Sequence, residues 1–122
     1  MTEVSTKTSS RKWADTDDPI TIKICDQSNK CCKSRLDDPK RDDFEKGNID
    51  DFPGASLGSC KSTTFADGDL TVTLDKDKSN WWFVDWAKIK VGNGRSYKCK
   101  FNTWLDKDDH ERSKTMKCQQ TF

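Results

Sequence analysis

The chain has no long apolar run. Hydrophobic residues fill 31% of its 122 positions and charged residues 35%, and no segment approaches the roughly 20 apolar residues that a membrane-spanning helix needs. An excess of one charge is missing too, with 22 basic residues against 21 acidic ones. Such a chain has no long-range field with which to collect nucleic acid, and that partner class is excluded. Alanine and leucine are scarce, and few apolar residues recur at three-four spacing, which argues against helices. There is one histidine, no Gly-x-Ser-x-Gly elbow, no phosphate loop and no dinucleotide fingerprint. The expectation is therefore a chain that is not an enzyme. Internal repeats and low-complexity tails are also absent, and residues 1–12 carry no apolar leader segment.

Against this sparse background stand six cysteines, Cys25, Cys31, Cys32, Cys60, Cys99 and Cys118. In a short chain with a thin core they read as up to three disulfides formed in an oxidising compartment. Zinc is the competing reading. It fails on spacing, because Cys31 and Cys32 are adjacent, no Cys-x-x-Cys pair occurs, and His110 is far from most of the cysteines. Pairing stays open, since six cysteines allow about fifteen connectivities. The cysteines lead us to expect a secreted protein, and the missing leader then implies a mature chain with an added Met1. A Cys99 nucleophile served by His110 would need a free thiol. His110 itself lies in Asp108-Asp109-His110-Glu111, where neighbouring carboxylates would favour its charged form; the alternative reading is an ordinary solvated loop histidine.

The clearest local signal is the stretch from Asn80 to Val91. Phe83, Ala87, Ile89 and Val91 alternate on one face, interrupted at Asp85, while Trp86, Lys88 and Lys90 take the other. Asn93-Gly94 suits a tight turn, and Tyr97, Cys99 and Phe101 alternate on the return, which predicts a β-hairpin. Trp86 shares its face with lysines and is expected to be a partly covered surface ring. Further strands are predicted at residues 2–9 (a polar edge strand), at Ile20–Ile24 with Ile20, Ile22 and Ile24 on one face, near Cys32–Leu36, at Asn48–Phe52, at Leu70–Leu74, and at Ser113–Phe122. Residues 53–66 read as irregular, with Cys60 available as a staple. About eight short strands predict an all-β, antiparallel β-sandwich of two roughly four-stranded sheets, disulfide-stapled, in one domain over residues 1–122.

Three separated segments resemble the PLAT domain family. Trp13-Ala14-Asp15-Thr16-Asp17-Asp18, followed by alternating Ile20, Ile22 and Ile24, is similar to the family's first loop and second strand. Asp43-Phe44-Glu45-Lys46-Gly47-Asn48-Ile49-Asp50-Asp51-Phe52 is similar to its F-E-R-G-x-x-D-x-F segment. Trp82-Phe83-Val84-Asp85-Trp86-Ala87-Lys88-Ile89, with Tyr97 to Leu105, is similar to its W-F/Y and Y-x-F-x-C-x-x-W-L segments. Order and spacing agree across residues 2–120. The cysteine content and the Gly47-to-Gly54 run leading to Cys60 look like the small secreted single-domain members. Two departures stand out: Asp15 occupies a common glycine position, and the Phe and Cys of the last motif are exchanged as Cys99 and Phe101.

The resemblance implies a non-enzymatic module that binds a lipid or membrane surface, assisted by calcium. Calcium would be held by Asp17, Asp18, Asp43 and Glu45, oxygen donors of the kind a hard cation takes. The family's further acid, just before the Trp-Phe pair, is replaced by Trp81. Solvated turn residues are the other reading of these acids. An EF-hand fails, since the run from Asp75 would put Asn80 at the glycine position and Trp86 where the bidentate Glu belongs. Trp13, Trp81 and Trp104 fall at loop positions and become the lipid-binding candidates, Trp13 and Trp104 matching two lipid-touching positions of relatives. The alternative role of these rings is to cap a thin core. The partner is then either a phospholipid surface or, with no lipid role, a protein receptor met by an extracellular matrix, defence or venom component.

Overall fold

A computed structural model describes residues 2–14, 16, 20–36, 44–53, 57–76, 81–92, 94–106 and 111–121. Nine strands form among them: β1 (Glu3–Thr8), β2 (Ile20–Cys25), β3 (Cys31–Leu36), β4 (Ile49–Phe52), β5 (Leu70–Lys76), β6 (Trp82–Lys90), β7 (Ser96–Cys99), β8 (Thr103–Leu105) and β9 (Ser113–Thr121). All pairings are antiparallel. One half of the sandwich runs β3-β2-β5-β9 and the other β9-β7-β6-β1-β4, with β8 lying against the start of β6. The alternation read from the sequence is what builds these layers. Ile20, Ile22 and Ile24 face Lys76, Leu74 and Val72 across β2 and β5, and all six are buried.

Three points go beyond the expectations. The two halves of the expected sandwich are present, and they form one continuous curled sheet because β9 is long enough to serve both. Its residues 113–118 pair with β5, and Gln119, Gln120 and Thr121 pair with β7. The polar first strand is not at an edge; β1 lies between β4 and β6. Its threonines explain how a polar sequence can sit there. Val4, Thr6 and Thr8 are the inward residues, and the Thr8 hydroxyl receives the indole N–H of Trp82 at 2.9 Å.

The third point is inside β6. Lys7 pairs with Trp86, but Thr8 pairs with Val84, so Asp85 is an extra residue, a β-bulge. A bulge of one residue reverses which positions face inward. Val4, Thr6 and Thr8 accordingly meet Ile89, Ala87 and Val84, and Trp82 joins them in the core. Phe83, assigned by simple alternation to the face of Ala87, stands on the opposite side. The break noticed at Asp85 was the bulge itself.

The end of the sandwich that carries the β6–β7 hairpin is closed by polar clamps and disulfides. Gly94 adopts φ 87°, a left-handed conformation that suits glycine in the turn. Arg95 donates to the carbonyls of Phe65 (2.9 Å) and Ala66 (3.2 Å) and faces Asp67 at 3.3 Å. The Tyr97 hydroxyl donates to the Gly68 carbonyl at 2.8 Å. Asp26 accepts the N–H groups of Ser28, Lys30 and Ala66 at 2.9, 3.0 and 2.9 Å. The Ala66 N–H in particular holds its carboxyl below the usual carboxylate range. Cys25–Cys31 closes the β2–β3 hairpin, Cys32–Cys60 ties β3 to the 3-10 turn Gly58–Cys60, and Cys99–Cys118 joins β7 to β9 where β9 passes from one half to the other.

Two predictions follow from these staples. The cross-links span 6, 28 and 19 residues in the order Cys25–Cys31, Cys32–Cys60 and Cys99–Cys118. Chain entropy then makes the Cys25–Cys31 pair the least stabilising, by about 1.4 kcal/mol relative to Cys32–Cys60. Urea denaturation of the three paired Cys→Ala variants should return that ranking. For Asp26, a depressed folded-state pKa adds stability that is complete above the unfolded-state value and disappears as pH falls through the folded one. Asp26→Asn should therefore be less stable than wild type at neutral pH, with the gap narrowing below about pH 4 in a pH series of thermal melts.

Candidate functional site

At the other end of the sandwich, loops meet the starts of β2, β6 and β9. Ser9 donates its N–H to the Phe83 carbonyl at 3.0 Å, and Phe83 donates its own to the Ala14 carbonyl at 3.0 Å. This binds the segment 9–14 alongside the first residues of β6. Gly47 N–H reaches the Ser9 carbonyl at 3.1 Å, and Thr16 N–H reaches the Phe44 carbonyl at 3.2 Å. The loop that contains Glu45 is thus stitched to the segment that contains Trp13. Its inner support is Asp50, whose buried carboxylate accepts the Phe44 N–H at 2.8 Å. Phe44 holds φ 63° and packs its ring edge-on to Trp82 at 5.0 Å.

Trp13 sits at the turn of the first segment with 64% of its surface exposed. Its backbone is at φ 67°, an uncommon conformation for a bulky side chain. The Lys12 ammonium lies 5.3 Å from its ring centre, within cation–π range. One residue further on, Ala14 leads by its carbonyl to Phe83, and there a row of rings begins. Phe83 meets Trp104 edge-to-face at 5.1 Å, and Trp104 meets Trp81 at 6.2 Å. The Arg11 guanidinium covers Phe83 at 4.6 Å. Trp104 lies on β8, directly opposite Phe83, and not in a loop. Trp81 and Trp104 are half-buried against one another and Phe83.

The structure therefore gathers Trp81, Trp104 and Glu45 at the end where Trp13 projects. Asp17, Asp18 and Asp43 lie outside the described residues. Among the described residues, no group of three metal-ligating side chains occurs. All six cysteines are paired, so the Cys99 sulfur is not a nucleophile. Phe83 and Arg11 were missed from sequence because alternation put Phe83 on the inner face; the irregularity at Asp85 was the signal that could have placed them. Trp86 is half-buried on the outer face, as its lysine neighbours implied.

The described residues define a disulfide-stapled, antiparallel β-sandwich with an aromatic end. In solved structures the chain is similar to coral 8R-lipoxygenase, reported with calcium activation via a C2-like domain, at 21% identity and TM-score 0.74 over 96% of this chain. It is also similar to the alpha toxin of Clostridium absonum (20% identity, TM-score 0.68, 95% of this chain) and to alpha-toxin of an avian Clostridium perfringens strain (19%, 0.62, 95%). The chain spans 16% of the lipoxygenase and 30% of each toxin. Its fold is that of their PLAT domains. In sequence, no family model and no curated protein matches it.

Asp50 gives a direct check on how this end is held. Asp50→Ala leaves the buried Phe44 N–H without its acceptor and should cost about 1–3 kcal/mol. Chemical denaturation measures that loss. Hydrogen exchange should show faster exchange at Phe44 and Gly47, with β2 and β5 unchanged.

Proposed function

We propose that the chain is a non-catalytic module that docks on a phospholipid surface through its aromatic end, with calcium assisting. The observation that carries this reading is Trp13, a large ring 64% exposed on a left-handed backbone. Holding an apolar ring in water on an unfavourable backbone has a purpose if the ring is buried on contact. Tryptophan suits the headgroup boundary because its apolar body carries a single donor. Burying most of such a side chain contributes about 2 kcal/mol, enough to matter but too little to anchor alone. The adjoining row of Trp104 and Trp81 extends the apolar footprint, and Arg11 and Lys12 bring positive charge to the level of lipid phosphates.

Calcium fits by the chemistry of its donors. Asp17, Asp18, Asp43 and Glu45 offer carboxylate oxygens, the ligand type calcium prefers. Thr16 and Phe44, the chain neighbours of Asp17 and Asp43, are joined by a hydrogen bond, which supports a shared site. Bound there, calcium would neutralise acids that otherwise repel the lipid phosphates. Three disulfides support an oxidising, extracellular setting. No helix among the described residues is long and apolar enough to cross a membrane.

A protein receptor is the second reading, favoured by the mutual packing of Trp81 and Trp104, since pre-ordered tryptophans are the usual anchors of protein interfaces. Co-sedimentation with phosphatidylcholine vesicles separates the two. The chain should pellet with vesicles, more strongly with calcium than with EDTA. Trp13→Ala should weaken binding roughly thirtyfold, and adding Trp81→Ala should abolish it. No pelleting in either condition sinks the lipid reading and leaves the aromatic end to a protein partner.

A further inference from the structure

A second, chemically different surface lies on the outer face of β1, β6 and β7. Lys88 of β6 stands directly opposite Lys98 of β7, and Ser5 of β1 flanks it on the other side. Like charges placed opposite on neighbouring strands repel. Both ammonium groups lean on one indole, Trp86, at 4.8 and 5.5 Å from its ring centre. The ring's negative face offsets part of that repulsion. Among the described residues, neither lysine has an ion pair. Two positive charges are thus concentrated over one ring, while the acid further along the row, Asp51, accepts the Ser5 hydroxyl at 2.6 Å.

Beside them opens a hollow of about 340 Å³, lined by Glu3, Ser5, Lys88, Lys90, Ser96 and Thr121 among others. Its polar groups are ammoniums and hydroxyls, apart from Glu3. Glu3 stands opposite Lys90 in the register, whereas Lys88 faces a second lysine, so positive charge is densest at Lys88 and Lys98. The face is a broad strand surface, open along β6, which suits a linear polyanion better than a compact ion.

The geometry points to a sulfated polysaccharide as the occupant. Sulfates match the ammonium groups, and sugar hydroxyls match Ser96 and the hydrogen-bonded Ser5–Asp51 pair. Compartment decides against the other polyanions. Paired cysteines belong to an oxidising, extracellular setting, whereas anionic phospholipids concentrate on the cytoplasmic leaflet. The site is separate from the aromatic end and does not depend on lipid docking there. It makes the chain a two-surface adaptor, one end for a membrane or receptor and one face for an anionic glycan.

Chromatography and equilibrium binding of the full chain on immobilised heparin test this. Wild type should be retained beyond about 0.15 M salt. Lys88→Gln/Lys98→Gln should bind roughly tenfold more weakly, with a log–log salt slope reduced by about two. The control is Lys23→Gln/Lys33→Gln, which removes the same charge from another opposed lysine pair and should change binding less than about twofold. Trp86→Ala, with every lysine kept, should also weaken retention, which a simple charge count would not predict. Thermal melts confirm that each variant is folded. The proposal is overturned by wild-type flow-through at 0.15 M salt, or by equal loss in the control pair. It is equally overturned if phosphatidylserine vesicles bind through Lys88 and Lys98 while heparin neither binds nor competes.

Discussion

One unpaired residue decides which aromatic rings this protein keeps and which it shows. Without the bulge at Asp85, strict alternation along β6 would place Phe83 with Ala87 and Ile89 in the core and turn Trp82 outward. With it, Trp82 is buried and hydrogen-bonded to Thr8, while Phe83 becomes the base on which Trp104 rests. The partner strands are shaped by the same event. Asn102 donates its N–H to the Asp85 carbonyl at 3.0 Å and takes φ 45°, in the gap where β7 ends and β8 begins. A local insertion of this kind re-aims side chains without disturbing the register on either side. The core and the candidate docking surface are thus two results of a single backbone irregularity.

The core is small for the number of charges around it, and its polar groups are used to tighten it. Thr8 and Asp50 point inward, and each is a hydrogen-bond partner for a group that would otherwise be stranded: the Trp82 indole and the Phe44 amide. At the opposite end, Arg95, Tyr97 and Asp26 hold irregular backbone by its own carbonyls and amides. Disulfides do the same by covalent means. The division of labour is spatial. One end is stapled covalently, and the other, held by hydrogen bonds, leaves the Trp13 ring in solvent.

Much of this was readable from residue order. Ile20-Ile22-Ile24 and Leu70-Val72-Leu74 could only be half-buried strands, and the β6–β7 hairpin followed from alternation around Asn93-Gly94. The six cysteines announced staples, though their pairing depends on which strands become neighbours, and that is a property of the folded sheet. What alternation could not reveal was the parity change at Asp85, since a one-residue insertion looks like an ordinary polar position. Nor could it place β1: threonines at Thr6 and Thr8 look like solvent-facing residues until their partners, Ala87 and Val84, are known. Trp104 was assigned to a loop because β8 is only three residues long, too short for any periodicity to register. At the aromatic end, the sequence offered acids and tryptophans as separate motifs. Backbone bonds from Gly47 to Ser9 and from Thr16 to Phe44 bring their two segments together.

The sharing of β9 has a bearing on how the molecule is made. Neither half of the sandwich is complete until the last of the nine strands arrives, because β5 and β7 both wait for it. During synthesis the earlier strands therefore emerge with two open edges, and the nascent chain stays exposed to mispairing and to premature oxidation of Cys99 with an earlier cysteine. Folding of this kind is governed by pairings distant in sequence and is correspondingly slow. A ribosome stalled before residue 113 would hold an intermediate with nothing to close it, the form on which a chaperone or a disulfide isomerase would act.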